Sequence, residues 1–197
     1  LALLGKESAF TAIGLVGVVH WRLRPQARWT AHLAAMLPFA AVGLAYLGLR
    51  LAVVGSLGLP TPPGALDNPL AHVDLATRWR TALIVLWDYL SLLTLPLRLS
   101  ADYSFNQVPL AVHWSDPRVV AAGALLGGLA AGALLAVRRA PALAVAAACF
   151  AVPLALTANL VLPIGTIKAE RLLYLPSLGW CLAVGWLLAT AARHRPR

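Results

Sequence analysis

Long uninterrupted apolar runs are the feature that most constrains what this chain can fold into. A helix needs roughly 20 consecutive apolar residues to cross the hydrocarbon core of a bilayer. Five runs reach about that length: Leu1–Val19, Ala31–Val54, Val119–Val137, Ala142–Leu162 and Leu172–Ala192. Only 12% of the 197 residues are charged, against about 25% in a soluble domain. The sequence therefore predicts an all-α, polytopic transmembrane bundle.

A sixth apolar run, Thr81–Leu97, is shorter and carries Asp88 at its middle. A charge at the centre of a spanning helix costs about 2.5–3.5 kcal/mol. We therefore predict a re-entrant or interfacial helix here, with Trp79, Trp87 and Tyr89 in the headgroup zone. The alternative is a sixth span whose Asp88 faces the bundle interior.

Basic residues fall into three clusters that contain no acid: Arg22, Arg24 and Arg28; Arg138 and Arg139; Arg193, Arg195 and Arg197. The positive-inside rule places such clusters in the cytoplasm, so the net charge of +9 indicates membrane topology and not nucleic-acid binding. Counting spans from these clusters puts four segments on the outer face: Lys6-Glu7, Gly55–Arg80, Ser100–Pro117 and Gly165–Arg171.

Small residues recur in the run Val119–Val137, where Gly123, Gly127, Gly128 and Gly132 form two pairs at four-residue spacing. Small residues let helices approach closely where lipid supplies no hydrophobic drive, so we expect this stripe to pack within the bundle. The two cysteines, Cys149 and Cys181, lie in apolar runs, where free thiols behave as small hydrophobes. No metal site is predicted.

Three polar segments could carry chemistry. In Gly5–Ser8, the Lys6-Glu7 pair either reaches the interface or serves a polar cavity. Leu99–Leu110 is either an ordinary loop or a hydrogen-bonded turn whose aromatic residues contact a sugar. In Ile164–Ser177, Lys168 and Arg171 stand three apart and would share one face of a helical turn, with Glu170 orienting Arg171. They could grip a phosphate or form an ion pair that anchors the last span.

Several stretches resemble the transmembrane and tetratricopeptide-repeat O-mannosyltransferases and their bacterial relatives: GKES, NPLAHVD, RTALIVLWDYLSLLTLP, LSADYSFNQVPL and AERLLYLPSLGW. The resemblance implies a C-type glycosyltransferase, a multi-span enzyme acting on the extracytoplasmic face. It would take a sugar, mannose by analogy, from a polyprenyl- or dolichyl-phosphate donor and pass it to a protein or other acceptor. We expect no cofactor, and the alanine-, leucine- and arginine-rich composition favours a bacterial inner membrane over the endoplasmic reticulum.

The same resemblance assigns ten substrate-binding positions: Lys6, Glu7, Asp102, Tyr103, Ser104, Asn106, Lys168, Glu170, Arg171 and Tyr174. We expect the three cations, Lys6, Lys168 and Arg171, to hold the lipid phosphate, and Asp102, Tyr103 and Asn106 to shape the sugar or acceptor side. The family's catalytic acid is expected in an outer loop before Leu1, and its repeats after the chain. Residues 1–197 would then be part of one membrane domain with no catalytic residue of its own.

Two other classes of protein fit the apolar pattern. A transporter or flippase would use Lys6, Asp88 and Glu170 as charges along a pathway through the membrane. A non-enzymatic scaffold would use the spans as an anchor for repeats that bind partners.

Overall fold

A computed structural model describes residues 7–55, 63–97, 99–104, 106–160 and 163–193, without the side chains of 7, 8 and 136–139. Six α-helices follow one another: α1 (Thr11–Leu23), α2 (Trp29–Val54), α3 (Leu75–Thr94), α4 (Pro117–Arg139), α5 (Pro141–Thr157) and α6 (Tyr174–Arg193). Short 3-10 turns cover Glu7–Phe10, Pro69–His72 and Glu170–Leu173. No strand occurs in these ranges, which confirms the all-α prediction.

The chain divides into two compact units, Leu1–Thr61 and Pro62–Arg197. The first is a hairpin of α1 and α2. Its helices pack through glycines: a Cβ at Gly43 would lie 3.1 Å from a ring atom of Phe10, and one at Gly17 would lie 3.1 Å from the sulfur of Met36. Phe10 also meets Tyr46 edge to face, with ring centroids 5.6 Å apart.

The second unit is built around α3. The Asp74 carboxylate caps this helix by accepting bonds from the backbone N–H and the hydroxyl of Thr77, at 2.9 and 2.6 Å, so the helix begins at Leu75. These two bonds hold the pKa of Asp74 below its usual value. The apolar face of α3, including Val85 and Tyr89, forms a core with residues from α5 and from the loops at either end.

Three helical segments are long and apolar enough to cross a membrane in the described part of the chain: Trp29–Val54, Pro117–Leu135 and Glu170–Arg193. The number is smaller than the five or six spans that we predicted. Two of the predicted spans are shorter as helices, because α1 has 13 residues and α5 has 17. Residues 1–6, which complete the first predicted span, lie outside the described ranges.

Residues 81–94 of the run Thr81–Leu97 belong to α3, which starts six residues before the run, ends at Thr94 and is not among the three apolar segments. Its aromatic residues divide. Trp79 and Trp87 are exposed, as a headgroup position requires, whereas Tyr89 is fully buried. The prediction for Tyr89 was wrong because its ring completes the core of the second unit.

The glycine stripe of α4 does not pack as predicted. A Cβ built at Gly123, Gly127, Gly128 or Gly132 meets nothing within 4 Å among the described residues. Close helix packing occurs instead at Gly179 of α6, where a Cβ would run into the α5 backbone at Ala146 and Phe150. Gly179 therefore lets α5 and α6 approach backbone to backbone.

Candidate functional site: a loop cluster beside α3

Two buried asparagines join the loops at one end of the second unit. The Asn68 amide donates to the side-chain oxygen of Asn159 at 2.9 Å and to the Ile164 carbonyl at 2.6 Å. The Asn159 amide donates in turn to the carbonyls of Thr166 and Ile167, at 3.2 and 3.1 Å. Buried amides need such partners. The pair therefore fixes the segment after α5 against the segment before α3.

Lys168 follows this fixed segment and is held on two sides. Its ammonium donates to the Asp88 carboxylate of α3 at 3.1 Å and lies 4.4 Å from the ring centroid of Tyr103. The side chain is 7% exposed, whereas that of Asp88 is 36% exposed. A cation this buried needs a partner, and Asp88 supplies it. The aromatic face of Tyr103 adds a cation–π contact.

Tyr103 and Glu170 extend the network to the loop after α3. The Tyr103 hydroxyl donates to Glu170 Oε1 at 2.7 Å, and the same oxygen accepts the backbone N–H of Ser100 at 2.9 Å. Desolvation, followed by the bond to the Glu170 carboxylate, raises the pKa of Tyr103 to about 12. The Tyr89 hydroxyl accepts the backbone N–H of Ala169 at 3.0 Å. We call this set, Asp88, Tyr89, Ser100–Ser104 and Lys168–Arg171, the loop cluster.

The exposed rim of the loop cluster carries its remaining polar groups. Asp102 accepts the backbone N–H and the hydroxyl of Ser104, and these bonds hold the pKa of its carboxyl below the usual value, with Arg171 acting in the same direction. Arg171 is exposed, as is Asn106, which adopts a left-handed backbone with φ of 56°. Tyr174 is 82% exposed. These side chains are accessible to a ligand.

The loops therefore meet as the positive-inside count predicted, since Ser100–Ser104 and Lys168–Arg171 lie at the same end of the second unit. Of the ten predicted site residues, the loop cluster contains six: Asp102, Tyr103, Ser104, Lys168, Glu170 and Arg171. Asn106 and Tyr174 flank it along the chain, and their binding roles stay predictions. Lys6 and the side chain of Glu7 lie outside the described residues.

One expected contact differs. We predicted that Glu170 would orient Arg171, but its Oε1 instead accepts from Ser100 and Tyr103. The local spacing in sequence favoured an ion pair, whereas the loop after α3 supplies two neutral donors that are 67 and 70 residues away.

Sequence reasoning missed the roles of three residues, Asp88 in the loop cluster and the two asparagines that hold the segment leading into it. Asp88 was interpreted as a cost to a spanning helix or as a charge on a transport pathway, although an acid in the middle of an apolar run also indicates a cationic partner. Asn68 opens the NPLAHVD stretch and Asn159 lies inside the apolar run Ala142–Leu162, but the sequence assigned a role to neither. Their pairing over 91 residues has no local signal in a single sequence.

Metal ligation has no support in the described ranges, where no group of three His, Cys, Asp or Glu side chains could hold an ion.

A comparison with known proteins finds similarity over residues that include α3 and the loop after it. The family model described as Protein O-mannosyl-transferase TMTC, DUF1736, matches residues 63–130. Protein O-mannosyl-transferase Tmtc3 of Drosophila melanogaster is 32% identical over 127 residues, which cover 61% of this chain and 14% of that protein. This chain is a relative of the TMTC family.

Two further TMTC proteins support the relationship. The mouse TMTC3 protein is 32% identical over 126 residues, covering 61% of this chain and 14% of its own length. Human TMTC4 is 29% identical over 172 residues, covering 81% of this chain and 22% of its own length. The chain thus spans between one seventh and about one fifth of the TMTC proteins that it matches. No solved structure matches it.

The family resemblance stated from the motifs is confirmed, and with three apolar helices the chain is a membrane protein. Its bacterial origin stays a prediction. The match over residues 63–130 contains Asp88 and the Ser100–Ser104 loop, so this half of the loop cluster lies within the region that matches the family model.

Proposed function

We propose that this chain is part of an integral-membrane mannosyltransferase. It would take mannose from a polyprenyl- or dolichyl-phosphate donor and pass it to a protein or other acceptor on the extracytoplasmic face. The relatives' names support the transfer of mannose to protein. The observation that carries the proposal for this chain is the loop cluster, in which two motif segments meet and leave Arg171 exposed beside Asp102.

Chain direction supports a multi-pass arrangement. The loops that precede α4 and α6 touch each other through Tyr103 and Glu170, and one residue, Ala140, separates α4 from α5. If α4 and α6 cross the membrane, α5 has to return the chain between them. Its 17 residues make a helix of about 25 Å, short of the roughly 30 Å hydrocarbon core, and local thinning accommodates such a mismatch.

Orientation follows from the arginines. Arg138 and Arg139 end α4, and Arg193 ends α6, so the positive-inside rule puts those helix ends in the cytoplasm. The loop cluster then lies on the opposite side, where a lipid-linked sugar would reach it. We assign the membrane to the bacterial inner membrane, or to the endoplasmic reticulum in a eukaryote.

The two cations of the loop cluster suit different tasks. Arg171 is exposed, and its planar guanidinium matches two oxygens of a phosphate. It would stabilise the lipid phosphate as it leaves the sugar, which is electrostatic work suited to a water-poor site. Lys168 is committed to Asp88 and Tyr103, so it positions the loop. Asn106 and Tyr174 are the accessible groups for the sugar or acceptor.

The charges of Asp88 and Lys168 do not need a transport pathway to explain them, because the two side chains pair with each other. Both side chains instead complete the contact between α3 and the loop that precedes α6.

The test is mannosyl transfer by the complete protein, with polyprenyl-phosphate mannose as donor. Arg171→Ala should lower kcat/KM for the donor about ten- to a hundredfold, since a hydrogen bond to a charged group contributes about 1.5–3 kcal/mol. Arg171→Lys should recover part of that loss. Arg118→Ala is the matched control, because Arg118 is half exposed and already paired with Asp116 at 2.7 Å. Unchanged kinetics in Arg171→Ala would remove the phosphate assignment.

A further inference from the structure

The turn between α1 and α2 is an arginine-rich surface that the proposed reaction does not use. Arg24 and Ala27 close it through a backbone hydrogen bond of 3.0 Å, and Arg28 follows directly as the residue that caps α2. Both Arg24 and Arg28 are exposed. A closed four-residue turn keeps its ends, Arg24 and Ala27, within about 7 Å, and Arg28 is the residue after Ala27, so the two arginines lie near each other.

The sequence on either side of this turn contains no acidic residue. Residues 8 to 66 contain four arginines and not one Asp or Glu. The first turn of α2 has no acidic residue and its cap has no side-chain hydrogen bond. The partial positive charge of a helix N-terminus therefore adds to the two arginines.

Two histidines join the helices on either side of this turn. The Nδ1 atoms of His20 in α1 and His32 in α2 lie 3.0 Å apart, and the rings meet edge to face with centroids 5.1 Å apart. This contact joins the last turn of α1 to the first turn of α2. The arginines are thus presented by a fixed hairpin end.

Aromatic side chains place this hairpin end at a membrane surface. Trp29 is 71% exposed and Trp21 is 46% exposed, and exposed tryptophans at helix ends favour the headgroup layer. The turn also leads into α2, whose 26 residues are long and apolar enough to cross the bilayer. The anions concentrated at that depth are lipid headgroups.

We propose that the α1–α2 turn binds the headgroup phosphate of an anionic phospholipid through Arg24 and Arg28, with Trp29 packed beside the lipid at the level of the glycerol backbone. The site is separate from the loop cluster in chain and in chemistry, since it needs a structural lipid and no sugar. Each arginine near an anionic surface contributes about a fivefold change in affinity.

The experiment measures how much phosphatidylglycerol, relative to phosphatidylcholine, stays bound to the complete protein in mild detergent, by native mass spectrometry. Arg24→Gln and Arg28→Gln should each lower retention about fivefold, and the double variant about 25-fold. The pair Arg24→Lys and Arg28→Lys keeps both charges and should stay within about twofold of the parent. Arg118→Gln removes one arginine that Asp116 already neutralises, so its retention should not change.

Three results would overturn the proposal. One is equal retention in the double Gln variant and the parent. Another is an equal loss in Arg118→Gln, which would mean that overall charge alone governs retention. The third is displacement of phosphatidylglycerol by inorganic phosphate at matched concentration, which would indicate a site for a soluble anion. Thermal unfolding of each variant confirms that the fold is kept, and the exposed arginines make folding defects unexpected.

Discussion

Glycines lie on both α6 and α4 in the second unit, and they do opposite things. Gly179 of α6 sits against the backbone of α5 at Ala146 and Phe150, so closely that no Cβ fits. The four glycines of α4 have the regular spacing associated with close packing, yet a Cβ at any of them meets nothing within 4 Å among the described residues. Spacing therefore identifies a helix face that could be approached, whereas only the fold decides which glycine is approached.

The contrast extends from the glycines to the regions around them. The α5–α6 contact continues into the loop cluster, where buried polar groups are matched over long distances in sequence. The outer face of α4 is apolar and open, with Leu134 and Leu135 more than 70% exposed, as suits a surface in contact with lipid. The α5–α6 region is therefore determined by close packing between helices, whereas the open face of α4 is determined by the lipid that it contacts.

The largest expected effect tests the packed side. Gly179→Val should prevent α5 and α6 from docking, because the new side chain meets fixed backbone and not a flexible side chain. Overpacking a close contact costs typically 1–3 kcal/mol and sometimes more, and we expect the upper end. Thermal unfolding of the complete protein in mild detergent measures it. Gly185→Val, in the same helix with open space around it, is the control and should change little.

A loss of comparable size is expected at Asn159. Asn159→Ala removes an amide that Asn68 and two carbonyls use and places Ala at a φ of 57°. Unsatisfied buried partners cost about 1–3 kcal/mol, and left-handed backbone about 1 kcal/mol more. Asn159→Gly accepts the backbone conformation but also lacks the amide, so it should recover only the backbone part. Full recovery in Asn159→Gly would show that the hydrogen bonds contribute nothing.

The hydroxyl of Tyr103 should matter less. Tyr103→Phe keeps the ring beneath Lys168 and deletes the bond to Glu170, so we expect a loss of about 1–2 kcal/mol in the same unfolding measurement. Tyr103→Leu also removes the cation–π contact and should lose about 0.5–2 kcal/mol more. Equal stability in the two variants would mean that the ring face contributes nothing to holding Lys168.

The same hydroxyl predicts a pH dependence. Its pKa is raised to about 12 in the folded chain from an ordinary value of 10, so folding favours the protonated phenol. The stabilisation is fully present below pH 10 and is lost as pH rises towards 12. The parent should therefore lose its advantage over Tyr103→Phe across that window. A constant difference in unfolding temperature between them would contradict the assignment.

The smallest effect is expected on the open side. Gly127→Ala should leave stability unchanged or raise it by up to about 1 kcal/mol, because Ala is the better helix former and the space is free. A clear loss in the complete protein would instead show that another segment packs against the α4 stripe. Both α4 and α6 would then use glycines to pack against another segment, and the two helices would differ only in which segment that is.

Local patterns predicted the parts of the fold that depend on local causes. Apolar runs identified α2, α4 and α6 as spans, and charge clusters predicted that the loops around Tyr103 and Glu170 would meet. Patterns failed where distant residues decide. The sequence placed Tyr89 in the headgroup zone, whereas its ring is buried in the core around α3. The sequence treated Asp88 as a cost to a spanning helix, whereas Asp88 pairs with Lys168. The ends of helices were also hard to predict. The helix α5 ends at Thr157, two residues before Asn159 with its left-handed backbone, and the apolar pattern does not mark that end.

The pairing of Asp88 with Lys168 has a consequence for biosynthesis. The two residues are 80 positions apart, and a ribosome adds about 5–20 residues per second, so the carboxylate is made roughly 4–16 s before its ammonium. During that interval α3 carries an unmatched charge next to the membrane. A helix resting at the water interface tolerates this wait, since water solvates the acid until the later segment emerges. The loop cluster therefore cannot assemble before the Lys168–Arg171 segment has been synthesised.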